Sequence, residues 1–409
     1  MPGREKAYIP LLSILALYVI LAIGLNFSDF LSPPRFVHRD GKYLVDGDGK
    51  QLQIRGINLG NWLVPEGYMF GFKSGPKSPR DLETLVNELV GPELSAQFWH
   101  QYRENYTTEE DIRFLHQAGF NTIRVPLHYK FFMPGDDAEG FRLLDRLIGW
   151  AQKYNLYVIL DLHAAPGGQT GSTIDDSTGY PQLFSSPENQ ENTLRFWQSI
   201  AERYRNNPTL LGYDLLNEPL PNIPQLQKYN AMLEPLYKRI TSGIRQVDSH
   251  HVIIIGATNW GYDFKLFGPP FDNNVMYSFH YYWQPPIEKG IQPYLSYREK
   301  YNIPIYLGES GENTDKWIKT MTDLMEKEHV GWSFWPYKKM EGASGVVSWQ
   351  KPRYWNEITA FAARTKENKI TAPKPSLIHS QAALDDLLEK IRFSQCTVNA
   401  GYLRALGLR

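Results

Sequence analysis

The feature that most limits how this chain can fold is a short apolar run that keeps returning. Such runs stand at residues 53–59, 122–127, 157–163, 211–217, 252–256, 275–281, 305–309 and 331–335. Between them, residues 108–118, 143–153, 189–204, 225–246, 291–300 and 315–327 carry apolar side chains at helical spacing, with Glu, Arg and Lys on the opposite face. A strand with one wet face alternates in character, whereas these runs are apolar throughout, as strands are when helices cover both faces. Eight βα units over about 300 residues predict an α/β fold, a closed parallel (β/α)8 TIM barrel. An open doubly wound sheet is the alternative, but no G-x-G-x-x-G follows the first strand. Ala165-Pro166-Gly167-Gly168 also lacks the Lys-Ser/Thr ending of a phosphate-binding loop.

The flanks divide the chain into residues 1–34, 35–365 and 366–409. In the first, residues 7–25 are nineteen positions without a charge behind Arg4 and Lys6. That is a membrane-targeting segment, either a retained anchor or a removed signal peptide, and the preceding cations predict that the remainder lies outside the cytoplasm. Ser32-Pro33-Pro34 is a linker, and residues 42–46 and 51–54 around Asp48-Gly49 read as a short N-terminal hairpin. After the barrel, a helix is expected near 354–363, a linker over 368–375 and a C-terminal helical extension over 382–391, capped by Ser380 and docked on the outside of the barrel.

Charge and composition exclude several function classes. With 43 Lys plus Arg against 44 Asp plus Glu, the net charge of -1 gives no field to attract nucleic acid or an anionic membrane surface. The single cysteine, Cys396, excludes an intramolecular disulfide framework and a Cys-based zinc site. The aromatics, 11 Trp, 25 Tyr and 20 Phe, exceed what a core needs and suit stacking on flat, weakly polar faces such as those of sugars.

In a barrel of this kind catalysis sits at the C-terminal ends of the strands, so the polar residues interrupting each apolar run there are the candidates. The second strand supplies Arg124, the third Asp161 and His163, the fourth Asn217-Glu218, the sixth His280 and Tyr282, the seventh Glu309 and the eighth Trp335. Only two carboxylates, Glu218 and Glu309, fall at the very end of their strands, the fourth and the seventh, which face each other across the mouth. Hydrolysis of a glycosidic bond needs such a pair: one carboxyl protonates the leaving oxygen and one carboxylate attacks or activates water. Arg124 and Tyr282 can hydrogen-bond the glutamate that must act as an anion. Asn217 is placed to grip a sugar hydroxyl, His163 and His280 to bond hydroxyls or hold the acid, and Trp335 to floor the site, with Trp260 a further stacking candidate.

Other chemistries fit less well. A non-catalytic sugar-binding barrel would use Trp62, Trp260, Trp283 and Trp335 but has no need of both glutamates. A metal hydrolase would need clustered ligands, and His163 and His280 stand on distant strands outside any His-x-His or His-Glu-x-x-His; no cofactor is expected. Gly308-Glu309-Ser310-Gly311 lacks the G-x-S-x-G of a serine esterase.

Seven stretches carry a resemblance: Ile54-Arg55-Gly56-Ile57-Asn58-Leu59-Gly60-Asn61-Trp62, Gly119-Phe120-Asn121-Thr122-Ile123-Arg124-Val125-Pro126, Leu160-Asp161-Leu162-His163, Leu216-Asn217-Glu218-Pro219, His280-Tyr281-Tyr282, Leu307-Gly308-Glu309 and Gly331-Trp332-Ser333-Phe334-Trp335. In this order, over about residues 50–340, the chain resembles glycoside hydrolase family 5, the cellulase-type retaining β-glycosidases. The resemblance implies Glu218 as acid/base and Glu309 as nucleophile, surrounded by Arg124, His163, Asn217, His280, Tyr282 and Trp335. Asn61-Trp62-Leu63-Val64-Pro65-Glu66 is most similar to the exo-β-1,3-glucanase branch, where a glutamate at the position of Glu66 binds sugar hydroxyls. Two departures stand out: Asn61, where that branch usually has Gly, and the short stretch of 21 residues from 310 to 330, which suits a more open cleft and an internal cut. β-Glucan is the expected substrate with its linkage open; a β-mannan or a glycolipid is the alternative.

Overall fold

The computed structural model describes residues 36–133, 137–364 and 372–409. The targeting segment at 7–25, the linker at 32–34 and the start of the second linker lie outside them. Three short strands, β1 (His38–Asp40), β2 (Tyr43–Val45) and β3 (Gln51–Leu52), form an antiparallel sheet. The expected hairpin is β2–β3; its turn is held by Asp46, whose Oδ1 accepts from the N–H groups of Asp48 and Lys50. β1 is an addition that the sequence pattern did not single out.

The eight apolar runs become β4 (Arg55–Asn58), β5 (Thr122–His128), β6 (Tyr157–Ala164), β7 (Leu210–Asp214), β8 (Val252–Gly256), β9 (Val275–Tyr281), β10 (Ile305–Ser310) and β11 (Gly331–Phe334). They close in the order β10-β11-β4-β5-β6-β7-β8-β9, every neighbour parallel. Side chains alternate across each strand. Ile159, Leu211, Ile254, Met276 and Tyr306 therefore fill the barrel's lower interior, with Val37 and Leu44 of the N-terminal sheet packed against them. Val158, Leu160 and Leu162 point outward into the larger core beneath the helices. With the lower interior filled, the strand-end residues gather at the upper mouth, where a cleft opens.

Helices α1 (Pro79–Val90) and α2 (Pro92–Tyr106) precede α3 (Glu109–Ala118), α4 (Asp137–Lys153), α5 (Pro187–Tyr204), α6 (Asn230–Arg245), α7 (Glu288–Tyr301) and α8 (Asp315–Lys327). α1 and α2 fall in the long β4–β5 connection and were not expected. The 225–246 segment divides into a 3-10 turn, Pro224–Tyr229, and α6. α3 shows how the ends are set: Thr108 and Asp111 form a reciprocal capping box, and Gly119, at φ 103, stops the helix in the left-handed conformation that glycine adopts most easily.

After α9 (Trp355–Ala362) comes α10 (Leu377–Lys390), which packs against α1 and α2. Its cap is Ser376, whose hydroxyl accepts from the His379 N–H at 3.1 Å; Ser380 lies buried inside the helix instead. A small sheet of β12 (Lys338–Met340), β13 (Val347–Trp349) and β14 (Thr397–Val398), then α11 (Ala400–Ala405), complete the described chain. Among the described residues no helix is long and apolar enough to cross a membrane.

Candidate active site

Arg124 is not at its strand's end. It is the third residue of β5 and points into the barrel, wholly buried. Its guanidinium donates through Nε to Asp214 Oδ2 (2.9 Å), through Nη1 to Glu309 Oε1 (2.6 Å) and Asn58 Oδ1 (2.9 Å), and through Nη2 to Asn217 Oδ1 (2.9 Å). Burial works against its charge, but Asp161, Asp214 and Glu309 outweigh burial and hold its pKa above the ordinary arginine range. Asp161 and Asp214 are register partners on β6 and β7, and burial pushes each up to about 7 against the pull of Arg124.

A register irregularity in β10 between Leu307 and Glu309 sets the direction of Glu309, as bulges do beside active sites. Gly308 permits it, since a Cβ there would lie 2.2 Å from Ser278 Oγ. One Glu309 oxygen is taken by Arg124 and the other accepts from the Tyr282 hydroxyl at 3.2 Å, so the carboxylate cannot turn freely.

Glu218 stands four residues beyond β7 rather than on it, at φ 46. A left-handed backbone at a non-glycine residue costs on the order of 1–3 kcal/mol and persists only where its surroundings impose it. Those surroundings are visible. The Asn217 N–H donates to Leu162 O (3.0 Å), and the Gln169 amide bridges His163 O (2.8 Å) and Asn217 O (2.9 Å), bolting the loop to β6. Gln169 belongs to the Gly-rich loop, whose part here is to brace. Burial pushes the Glu218 carboxyl up to about 7, with His163 and Arg124 pulling the other way. Its Oε1 lies 2.9 Å from His280 Nδ1, and burial lowers the pKa of that imidazole to about 3, so it is neutral at working pH. Ligand atoms of Glu218, His280 and Glu309 all lie within 4.8 Å of one another. Among the described residues this is the one donor group close enough to share a cation, but Arg124, Tyr282 and the group's own contacts already engage its atoms.

His163 Nδ1 lies 2.8 Å from Asp161 Oδ2, and its Nε2 lies 3.4 Å from the Asn217 amide nitrogen. A donating amide requires Nε2 to accept, which puts the imidazole proton on Nδ1, toward Asp161. The His163 ring is parallel to the Trp335 indole, centroids 5.6 Å apart at 8°. Trp335 follows β11, donates from Nε1 to the Tyr68 hydroxyl (2.7 Å) and lies over Gly60, where a Cβ would come within 2.6 Å of the ring.

These residues enclose a cleft of about 580 Å³. Glu66, His163, Glu218, Trp260, Tyr282, Glu309 and Trp335 line it, while Arg124, Asn217 and His280 lie directly behind and hold the others in place. Asn259 and Trp260, at φ 55 and 61, make the tight turn that brings Trp260 to the cleft. Glu66 is 9% exposed, and among the described residues its carboxylate accepts no hydrogen bond, including none that would cap the adjacent 3-10 turn. Burial, then Glu309, Glu218 and Glu312, push its pKa well up. Asn61 has φ 72 and its Oδ1 accepts from the Glu66 N–H at 2.8 Å: asparagine takes the conformation glycine would take and adds a bond that fixes the Glu66 loop. Tyr68, Ile174, Tyr262, Trp283 and Glu312 also line the cleft. Tyr68, Tyr262 and Trp283 stand within two residues of Glu66, Trp260 and Tyr282, whereas Ile174 and Glu312 belong to loops whose sequence carries no periodicity.

A sequence model of the cellulase family, glycosyl hydrolase family 5, matches residues 85–341. A β-xylosidase of Phanerodontia chrysosporium is 29% identical over 351 residues, covering 75% of this chain and 71% of its own length. A glucan 1,3-β-glucosidase of Schwanniomyces occidentalis is 26% identical over 368 residues, covering 72% and 85%. The crystal structure of endoglucanase Cel5A from the hyperthermophilic Thermotoga maritima has the same fold, with a TM-score of 0.52 at 22% identity over 86% of this chain and 96% of that one. Matched by the family across more than half its length, and carrying two facing glutamates at the mouth of its barrel, the chain belongs to glycosyl hydrolase family 5.

Proposed function

We propose that this glycosidase cleaves β-glucosidic bonds of β-glucans by double displacement, with Glu309 as nucleophile and Glu218 as acid/base. One observation carries the reading: an oxygen of each carboxyl lies within 4.8 Å of the other. Retaining glycosidases hold the pair about 5–5.5 Å apart, whereas inverting ones leave about 6.5–9.5 Å for a water.

In the first step a Glu309 oxygen bonds to the anomeric carbon as the bond to the leaving oxygen breaks, and Glu218 gives that oxygen its proton. In the second, Glu218 takes a proton from water, the water oxygen bonds to the same carbon, and Glu309 is released as a carboxylate. A carboxyl held at about 7 serves both steps, because near neutrality it is present in both forms. Arg124 and Tyr282 keep Glu309 aimed, and His280 keeps Glu218 opposite it. His163 faces the cleft to take up a sugar hydroxyl, Asn217 behind it holds the His163 ring and Arg124, and Trp260 and Trp335 are apolar surfaces for the rings. The glucan 1,3-β-glucosidase relative and the unpartnered Glu66 support a β-glucan with a recognised chain end. The uncharged stretch at 7–25 supports export, with that stretch as signal or anchor.

Proton NMR of the first product tests the mechanism on laminarin, lichenan and carboxymethylcellulose. The β-anomer appears first if Glu309 forms a covalent intermediate; α-anomer first overturns the reading.

A further inference from the structure

The family match ends at residue 341, and none of residues 372–409 lines the cleft. They nevertheless reach its wall. α11 packs against α8, and Tyr402, 1% exposed, donates from its hydroxyl to the Trp335 carbonyl at 3.3 Å. The packing there leaves no slack: a Cβ on Gly311, two residues beyond Glu309, would lie 2.2 Å from Trp335 O and 3.2 Å from the Tyr402 hydroxyl. Upstream, β14 pairs with β13, and Asn399 bonds Val346 O through its N–H (2.9 Å) and Gly345 O through its amide (2.6 Å). The loop so held carries Ser344, which accepts from Lys339; the same ammonium holds Glu312 of the cleft wall at 2.8 Å. Lys338, wholly buried, has acceptors for all three N–H groups: Tyr106 O (2.8 Å), Asp111 (2.6 Å) and, from the C-terminal segment, Ile391 O (2.9 Å).

We propose that the C-terminal segment is a working part of the active site and that Tyr402 is a positioning residue for Trp335. The proposal rests on the reading of Trp335 as a sugar-stacking surface. The constraints on Trp335 are distributed: its N–H donates to Ser310 O (2.6 Å), its indole to Tyr68, and its carbonyl accepts from Tyr402. The bridge to Gly311 on one side and the Tyr337 N–H on Asn58 O (2.9 Å) on the other fix the backbone around this peptide, and the Tyr402 hydroxyl is the contact that the C-terminal segment adds to its carbonyl. The competing account is that the hydroxyl only adds stability.

A double-mutant cycle separates the two. Wild type, Tyr402→Phe, Trp335→Ala and the double variant are assayed on an aryl β-glucoside and on laminaritriose, with the urea midpoint of each. The phenylalanine keeps the buried ring, so folding is retained. Positioning predicts a fall in kcat/KM of about three- to tenfold for Tyr402→Phe, as expected for one lost hydrogen bond acting on a transition state, and no further fall when Trp335 is already alanine. A kcat/KM unchanged by Tyr402→Phe, with only the urea midpoint lowered, overturns it, as does an undiminished effect in the Trp335→Ala background. A wild type inactive on every β-glucoside would instead refute the functional reading itself, and the positioning role with it.

Discussion

Replacing Glu218 by glutamine should destroy the acid and strengthen the fold, but only on one side of neutrality. Burial raises the Glu218 carboxyl from an ordinary 4.5 to about 7. A raised carboxyl means that the folded chain holds the proton more tightly than the unfolded chain. The associated stability is complete below pH 4.5 and is lost as pH rises through 7. Two and a half units at 1.36 kcal/mol each give a ceiling of about 3.4 kcal/mol, and because the side chain is 14% exposed, water recovers a part. Glutamine keeps the shape and the contact to His280 and cannot ionise. Relative to wild type, Glu218→Gln should therefore gain about 2–3 kcal/mol more at pH 8.5 than at pH 4, measured by urea denaturation at both. Any cost of the amide itself is the same at both pH values and cancels in the comparison. In wild type, kcat/KM should fall about tenfold per pH unit above 7 as the acid form is lost. A stability gain equal at the two pH values, or absent, would show that the fold does not hold this proton, and the burial argument for the acid would fail.

Two further outcomes follow from buried charge. Glu66→Ala should lower kcat/KM on short oligosaccharides by about ten- to a hundredfold, two hydrogen bonds to a terminal sugar being lost, without lowering the urea midpoint, since the carboxyl braces nothing; unchanged kinetics would remove its chain-end role. Lys338→Met should cost about 3–5 kcal/mol in urea, because it leaves the wholly buried Asp111 carboxylate without its cation and held only by Thr108 and Tyr337; a variant costing under 1 kcal/mol would contradict the pairing.

The barrel was legible because its strands are buried on both faces, which writes a continuous apolar run at every turn of the repeat. The polar residues flagged at the strand ends come together for the same reason, since the topology leaves them only one open end. Their exact heights were not legible. Arg124 lies in mid-strand, three residues into β5, where its charge is tolerable only because Asp161 and Asp214, far apart in sequence, meet it inside. Glu218 lies past its strand, on backbone that residue types alone do not reveal. α1 and α2 fall outside the βα repeat, because they stand between β4 and α3, the helix that completes the first unit. The apolar spacing from Leu384 onward points to Ser380 as the cap, whereas the helix begins about two turns before Leu384, on exposed Leu377 and Ile378 behind Ser376. The loop residues Glu312 and Trp283 carry no period at all.

Asn58 has a consequence for the order in which this protein is made. Its amide nitrogen reaches Gly308 O (3.1 Å) and Phe334 O (3.1 Å), and its oxygen receives Arg124, so one side chain in β4 stitches β10 and β11 to β5. Gly308 is 250 residues downstream. The edge of β4 has its partner only once β11 is present, and that pairing closes the ring in which Glu309 meets Arg124. Regain of enzymatic turnover during refolding therefore reports ring closure and lags behind the recovery of helical signal, and a chain stopped before residue 331 has an open sheet edge and no nucleophile in place.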